Sequence, residues 1–207
     1  LFGIGQQIAA NCKGLPIAVD LIAGLLGTKD RKKESWKQIA NGLNAHLLED
    51  QNGQCLGMLE LSYDNLPNHL KPCFLYFGTF CEDIEVPTSK LIRLWIAEGF
   101  VELQKDDKGS LEGAAQKYLN DLIARSLVII SKKGSRGGVK ASRVHDLLRD
   151  FALAKAKEES FLLTTNRFEQ LSSVGDSFYE PYRRSINSGS DYFPRSSLNP
   201  AHLPGLT

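Results

Sequence analysis

The sequence predicts a mainly α-helical protein: a small helical bundle, then three helices and one β-hairpin, then a loosely patterned C-terminal segment. Three observations predict this class. Apolar residues recur at helical spacing through most of residues 4–163. The period becomes extended near residues 127–144, and Ser, Gly and Pro recur after residue 163.

Composition limits the class of protein. Of 207 residues, 42% are hydrophobic and 24% charged, which is typical of globular chains with one large or two small domains. Lys and Arg number 25 against 24 for Asp and Glu, so no overall electrostatic field steers the chain toward nucleic acid or a charged membrane.

The longest apolar run, residues 14–27, is shorter than the ~20 residues of a membrane span and contains Asp20. The four cysteines lack metal-ligand spacing and are interpreted as buried thiols in a reducing compartment: Cys12, Cys55, Cys73 and Cys81.

A Gly-Pro turn joins the first two predicted helices. A helix over residues 4–13 stops at Gly14, and Pro16 suits the first position of a second helix that Gly27 ends. The apolar face of this second helix comprises Ile17, Leu21, Ile22, Leu25 and Leu26.

Two further helices complete a bundle over residues 1–66. The third has a helically spaced apolar face made of Trp36, Ile39, Ala40, Leu43 and Leu47. Residues 51–54 predict a turn, and a fourth helix follows from Cys55 until Pro67, which disfavours helical geometry at the preceding residue.

Residues 67–163 predict a different arrangement. The elements predicted in order are an aromatic-rich helix over residues 68–80, a brief extended piece, helices over 88–98 and 110–126, and two strands around the basic Gly-rich turn 132–138. Trp95 is expected in the core. A last helix packs Leu147, Leu148 and Phe151 back on these elements. Three helices followed by a hairpin is the order of a winged-helix domain.

Four segments carry a resemblance to a known family. "GLPIAVDLIAGLL", "LSYDNLPNHLKPCFLYFGTFCED", "KLIRLWIAEGFV" and "VHDLLRDFA" occur in an order and at spacings that resemble the second half of the nucleotide-binding (NB-ARC) module of plant intracellular immune receptors. Such receptors also carry leucine-rich repeats. The tryptophan-containing form is similar to the coiled-coil branch. The resemblance implies a helical ARC subdomain truncated at its N-terminus (1–66), a winged-helix ARC subdomain (67–163), and a linker with the start of the repeats (164–207).

The resemblance implies roles for individual residues. Gly14, Leu15 and Pro16, with Ile17, match the "GLPL" motif, whose proline and neighbouring backbone lie against adenine in the family. Val144, His145 and Asp146 match "MHD", whose histidine touches the β-phosphate of ADP. The resemblance also assigns Asp146 and Trp95 structural or switch roles.

Cofactors and partners are likewise implied by the resemblance. The intact receptor is expected to hold ADP or ATP, the latter with Mg²⁺, and to have at most slow ATPase activity. The chain lacks G-x-x-x-x-G-K-[ST], so the phosphate loop is expected upstream of Leu1 and this fragment is expected to hold no nucleotide tightly and not to be an enzyme. Expected partners are the upstream nucleotide-binding domain, the downstream repeats, further copies of the receptor on activation, and a pathogen effector or sensor receptor, all in the cytoplasm.

Physical reasoning leaves two interpretations of His145. A lone histidine at a helix start more often caps or packs than binds a ligand. The strand-to-helix junction also favours an anion, and an imidazole there can donate to a phosphate. We expect Asp146, at the helix start, to cap the helix.

Two other classes of function compete with the nucleotide switch. A nucleic-acid-binding winged helix would use Lys132, Lys133, Arg136, Lys140 and Arg143 of the wing, but Lys90 and Arg93 of the expected recognition helix stand among apolar residues suited to burial. An enzyme would need a nucleophile, a base and an orienting group, and no such set is evident. The switch, with the helical bundle and winged helix closing over ADP in the resting state, is therefore preferred.

Overall fold

The computed structural model describes residues 1–46, 51–103, 109–135, 137–161, 163–165 and 184–186. The helices are α1 (Phe2–Asn11), α2 (Pro16–Gly27), α3 (Lys33–His46), α4 (Gln51–Asp64), α5 (Lys71–Leu75), α6 (Thr88–Ala97), α7 (Leu111–Ala124) and α8 (Asp146–Glu158), with a 3₁₀ turn at Tyr76–Thr79. The strands are β1 (Val86–Pro87), β2 (Ile129–Lys133), β3 (Val139–Arg143), β4 (Leu163–Thr165) and β5 (Arg184–Ile186). The predicted mainly helical class is confirmed.

Helices α1 to α4 pack as a bundle around an apolar core. α1 contacts α3, and α4 contacts both α2 and α3. The buried core of this bundle comprises Ile8, Cys12, Ala18, Ile22, Leu25, Ile39, Ala40, Leu43, Met58 and Leu61. The face predicted for α2 is buried at Leu21, Ile22 and Leu25, whereas Ile17 and Leu26 are half-buried.

The bundle meets the rest of the unit where α2 approaches the end of α7. A Cβ atom at Gly24 would lie 2.9 Å from the Cα atom of Arg125 and closer still to its carbonyl group. Only a glycine permits this approach, because real Cβ atoms do not come so near a backbone. The Arg125 guanidinium also donates to the Asn65 carbonyl oxygen at 3.4 Å, so the end of α4 contacts the same residue.

The second half of the unit is built on a small antiparallel sheet in the order β1-β3-β2. The predicted extended piece is β1, and it adds a third strand to the predicted hairpin by pairing Val86 with Ser142. α6 contacts α7 and β3, and α8 packs on α5 and the 3₁₀ turn. An aromatic core lies between these elements, with Phe77 and Trp95 in edge-to-face contact at 6.1 Å between ring centroids.

Three local predictions are wrong. The segment 68–80 is not one helix: Pro72 lies in the first turn of α5, which ends after one turn and continues as the 3₁₀ turn. Residues 51–54 do not form a turn but are the first residues of α4. Local turn propensity is a weak signal that the context of a longer helix overrides. β2 begins two residues later than expected, since Leu127 and Val128 are buried just after the left-handed residue Ser126, which has φ 59°.

Residues 1–159 form one compact unit, and a second unit begins at Ser160. In the second unit β4 and β5 pair in parallel, with Leu163 opposite Arg184. Most of the predicted linker, residues 164–207, lies outside the described residues. The boundary expected at residue 66 stays a prediction. Among the described helices, none is both long and apolar enough to cross a membrane.

Candidate functional site

The turn before α2 places the sequence-predicted residues Gly14, Leu15 and Pro16 at the surface. Lys13 and Gly14 both have left-handed backbone conformations, with φ of 46° and 74°. Leu15 then becomes extended as the N-cap, and its N–H donates to the Cys12 carbonyl oxygen at 3.0 Å. Pro16 occupies the first helical position, where its missing N–H costs nothing. The predicted helix start at Pro16 is confirmed, whereas α1 already ends at Asn11, three residues before the predicted stop at Gly14.

The start of α2 combines exposed apolar surface with uncapped backbone. No side chain caps this helix end. Leu15 is 36% exposed, and Val19, one turn later on the same side, is 45% exposed. A flat apolar ring resting there would contact Leu15 and Pro16 and lie near backbone donors of the first turn. The surface therefore offers apolar contacts and backbone donors side by side.

His145 lies at the junction of β3 and α8 and is the N-cap of that helix. Its backbone is extended, with φ −70° and ψ 144°, and its Nδ1 accepts a hydrogen bond from the Leu147 N–H at 3.3 Å. Its carbonyl oxygen accepts the first intrahelical bond, from the Arg149 N–H at 2.9 Å. An Nδ1 that accepts carries no proton, so the neutral ring holds its proton on Nε2. The exposed imidazole can therefore donate through Nε2.

The prediction that Asp146 caps α8 is wrong. Asp146 is already the first helical residue, and the side chain that reaches back to the helix backbone belongs to His145. A cap needs the extended backbone that precedes the helix, which Asp146 does not have. Its exposed carboxylate instead lies in the first turn of α8, where the helix dipole favours a negative charge.

The first turns of α8 are held in place by contacts with the segment that follows the 3₁₀ turn. Arg149 donates through Nε to the Phe80 carbonyl oxygen at 2.8 Å and through Nη1 to Glu82 at 3.2 Å. On the inner face Leu148 and Phe151 are buried. The position of the His145 ring is therefore set by a helix start that is anchored on both faces.

The two candidate segments belong to one compact unit and share a neighbour. The Gly14–Pro16 turn opens α2, which packs on α4, and His145 opens α8, which also contacts α4. No contact between the turn and the imidazole is identified among the described residues.

A family model described as the disease resistance protein winged helix domain matches residues 79–152. This segment belongs to the winged-helix family of the disease resistance proteins. One putative late blight resistance protein homolog from Solanum demissum is 47% identical over 166 residues, 79% of this chain and 12% of that relative. Another from the same plant is 46% identical over 169 residues, 81% of this chain and 12% of its own length. The chain thus spans about an eighth of the relatives that it matches.

In this disease resistance domain the expected recognition helix was misplaced. The two helices between β1 and the hairpin are α6 and α7. In helix-turn-helix proteins the second helix of such a pair, here α7, is the recognition helix that lies in the major groove of DNA. Leu91, Ile92 and Trp95 of α6 are buried, as a core helix requires. α6 is therefore a packing helix by topology as well as by composition.

The charge on α7 and the wing does not favour a DNA groove. α7 carries Glu112, Lys117 and Asp121, and Arg125 just beyond its end pairs with Asp121 at 2.8 Å, so acidic and basic groups balance. In the wing, Lys132 pairs with Glu85 of the loop before β1. The remaining basic side chains, Lys133, Lys140 and Arg143, are exposed, and Arg136 lies outside the described residues.

Trp95 and two of the four cysteines lie in the hydrophobic core. Trp95 is fully buried, and its ring packs against Phe77. Cys12 and Cys73 are buried as expected, and burial raises the pKa of both thiols. The prediction of four buried thiols is wrong for Cys81, which is exposed in the loop after the 3₁₀ turn, and for Cys55 of α4, which is half-buried.

Sequence reasoning missed Tyr63, which was treated only as part of a packing motif. Its hydroxyl donates to Glu159 Oε1 at 2.7 Å. A buried tyrosine hydroxyl needs a partner, so the residue type was a signal. The partner lies 96 positions away, and no local pattern could identify it.

Proposed function

We propose that this chain is the regulatory part of an ADP/ATP-dependent switch in a plant disease resistance protein. In the resting state its helical bundle and winged helix close over ADP, and exchange for ATP releases them. The relatives' names associate those proteins with resistance to late blight, and the proposal extends a role in disease resistance to this chain.

The observation that carries the proposal is the hydrogen bond that the Leu147 N–H donates to Nδ1 of His145. Nδ1 is engaged by the Leu147 N–H, which leaves Nε2–H as the donor at an exposed, anchored helix start. A hydrogen bond from that group to a phosphate oxygen is charge-assisted even when the histidine is neutral. The helix start adds a favourable dipole for the same anion.

The turn at Gly14–Pro16 supports the adenine end of the proposal. Its left-handed backbone presents Leu15 and Pro16 outward, next to a helix start without a side-chain cap. This chain would therefore contribute an apolar contact to the base and one donor to a phosphate.

The missing contacts are assigned to other parts of the receptor. The phosphate loop and the Mg²⁺ that accompanies ATP belong with an upstream nucleotide-binding domain, and residues 164–207 would lead into the leucine-rich repeats. Further copies of the receptor, and a pathogen effector or sensor receptor, complete the set of partners. The site of action is the cytoplasm.

The direct experiment is mass spectrometry of nucleotide released from the purified full-length receptor. We expect about one ADP per resting receptor and a clear loss from His145→Ala. Lys140→Ala is the matched control, since Lys140 is an exposed wing residue that belongs to neither candidate segment. A wild-type receptor that releases no adenine nucleotide would overturn the proposal.

A further inference from the structure

The last turn of α4 is joined to the last turn of α8 by two polar contacts. The Tyr63 hydroxyl donates to Glu159 Oε1 at 2.7 Å. One turn earlier on both helices, Lys155 Nζ lies 3.2 Å from Glu60 Oε1. These four residues, Glu60, Tyr63, Lys155 and Glu159, are named here the α4–α8 latch.

The tyrosine of the latch is buried among aromatic side chains and a lysine. It is buried, and its ring contacts Phe74 and Phe151 at centroid distances of 6.0 and 5.8 Å, while Lys71 Nζ lies 4.7 Å above the ring. Burial, and then the Glu159 carboxylate, raise the pKa of Tyr63 far above its ordinary value. The phenol therefore stays protonated and remains a donor.

Glu159 occupies a special place in the chain. It is the C-cap of α8, with its N–H bonded to the Lys155 and Lys157 carbonyl oxygens, and it is the last residue of the first compact unit. Ser160 follows with a left-handed φ of 53° and begins the second unit. The latch thus holds the residue from which the chain leaves the winged-helix half.

The other side of the latch leads into the bundle. α4 packs on α2 and α3, and Asn65, just past its end, accepts a hydrogen bond from Arg125. A force on the end of α8 would therefore reach three other helices through one turn of α4.

We propose that the α4–α8 latch is a conformational coupling device, which transmits displacement at the Glu159–Ser160 junction to the helical bundle. While the Tyr63–Glu159 hydrogen bond is intact, the exit point and the end of α4 move as one piece. When it is broken, the last turn of α8 opens independently. This coupling does not require nucleotide, so its failure and that of the nucleotide proposal are separate results.

The test is hydrogen exchange, read by mass spectrometry, on the purified full-length receptor. Tyr63→Phe keeps the ring and removes the donor, and we expect amide exchange in residues 155–159 to become about tenfold faster, as for loss of a hydrogen bond to a charged group. Glu159→Ala should accelerate the last turn of α4, residues 60–65, as well as its own turn. Glu159→Gln retains an acceptor oxygen and should change exchange less.

Tyr118→Phe is the matched control. This tyrosine packs its ring on His69, and its hydroxyl has no partner on another helix in the part of the chain that the structure describes. Its exchange should match wild type, and the Tyr63→Phe/Glu159→Ala double variant should exceed neither single variant, because both remove one bond. Unchanged exchange in Tyr63→Phe, additive effects in the double variant, or acceleration spread evenly over residues 1–159 would each overturn the coupling device.

Discussion

Nδ1 of His145 accepts a hydrogen bond from the Leu147 N–H at 3.3 Å, so one exposed imidazole caps α8 through Nδ1 and leaves Nε2 outside the cap. The capping and ligand interpretations of this residue are therefore compatible. The cap fixes the tautomer that a phosphate contact through Nε2 would need. The predictions that follow separate the two roles and test the surfaces around them.

The two roles of His145 separate in His145→Asn and His145→Ala. Asparagine is a good N-cap and lacks the imidazole, whereas alanine lacks both. In the full-length receptor both variants should retain at most about one tenth of the ADP that the wild type retains, because both lose a charge-assisted hydrogen bond. In thermal unfolding, only His145→Ala should also lose the ~1 kcal/mol of the cap. Normal ADP retention in His145→Asn would remove the histidine from the site.

Replacing Asp146 with Val should favour the active state of the receptor. The first-turn carboxylate interacts with the helix dipole by about 0.3–1 kcal/mol, which shifts a balanced switch about two- to fivefold. Asp146→Glu keeps the charge and should behave like wild type. The measurement is pathogen-independent cell death, and an Asp146→Val receptor that stays silent would contradict the expectation.

Neutralising Lys132, Lys133 and Arg136 together distinguishes a switch from a DNA-binding wing. If the wing bound duplex, the triple Ala variant would lose affinity and its log–log salt slope would flatten by roughly one unit per lost phosphate contact. We expect neither duplex binding nor signalling to change in the full-length receptor. Loss of both together, with normal ADP retention in His145→Ala, would replace the nucleotide switch by a nucleic-acid function.

The isolated 207-residue chain should bind ADP weakly or not at all, because it lacks the Gly-rich loop and lysine that supply most phosphate donors. Isothermal calorimetry is the measurement. Micromolar binding by this chain would show that the affinity does not depend on a phosphate loop.

Gly24→Ala should destabilise the unit. The new methyl group would collide with the Arg125 backbone, which cannot move aside as a flexible side chain can, and we expect a loss of about 1–3 kcal/mol. Gly27→Ala is the matched control on the same helix, with no atom within 4 Å of its new Cβ. It should be neutral or stabilising by up to about 1 kcal/mol. Equal unfolding temperatures for the two variants would contradict the close approach of α2 and α7.

Local chemistry made several features of this protein predictable from sequence. Gly14 specifies a left-handed turn and Pro16 a helix start, through backbone constraints that act within two or three residues. The apolar period of α2 and the change of period near the hairpin likewise report local geometry. The order of elements was enough to predict the winged-helix arrangement, and motif order was enough to indicate the family.

Contacts between distant residues were decided by the tertiary structure alone. Whether His145 or Asp146 caps α8 depends on where β3 ends, a difference of one residue that propensity does not resolve. Gly24 is required by Arg125, and Tyr63 finds its acceptor at Glu159, across separations of about a hundred residues. Such pairings leave no periodic trace, because each depends on how whole helices pack and not on the residues beside it in the chain.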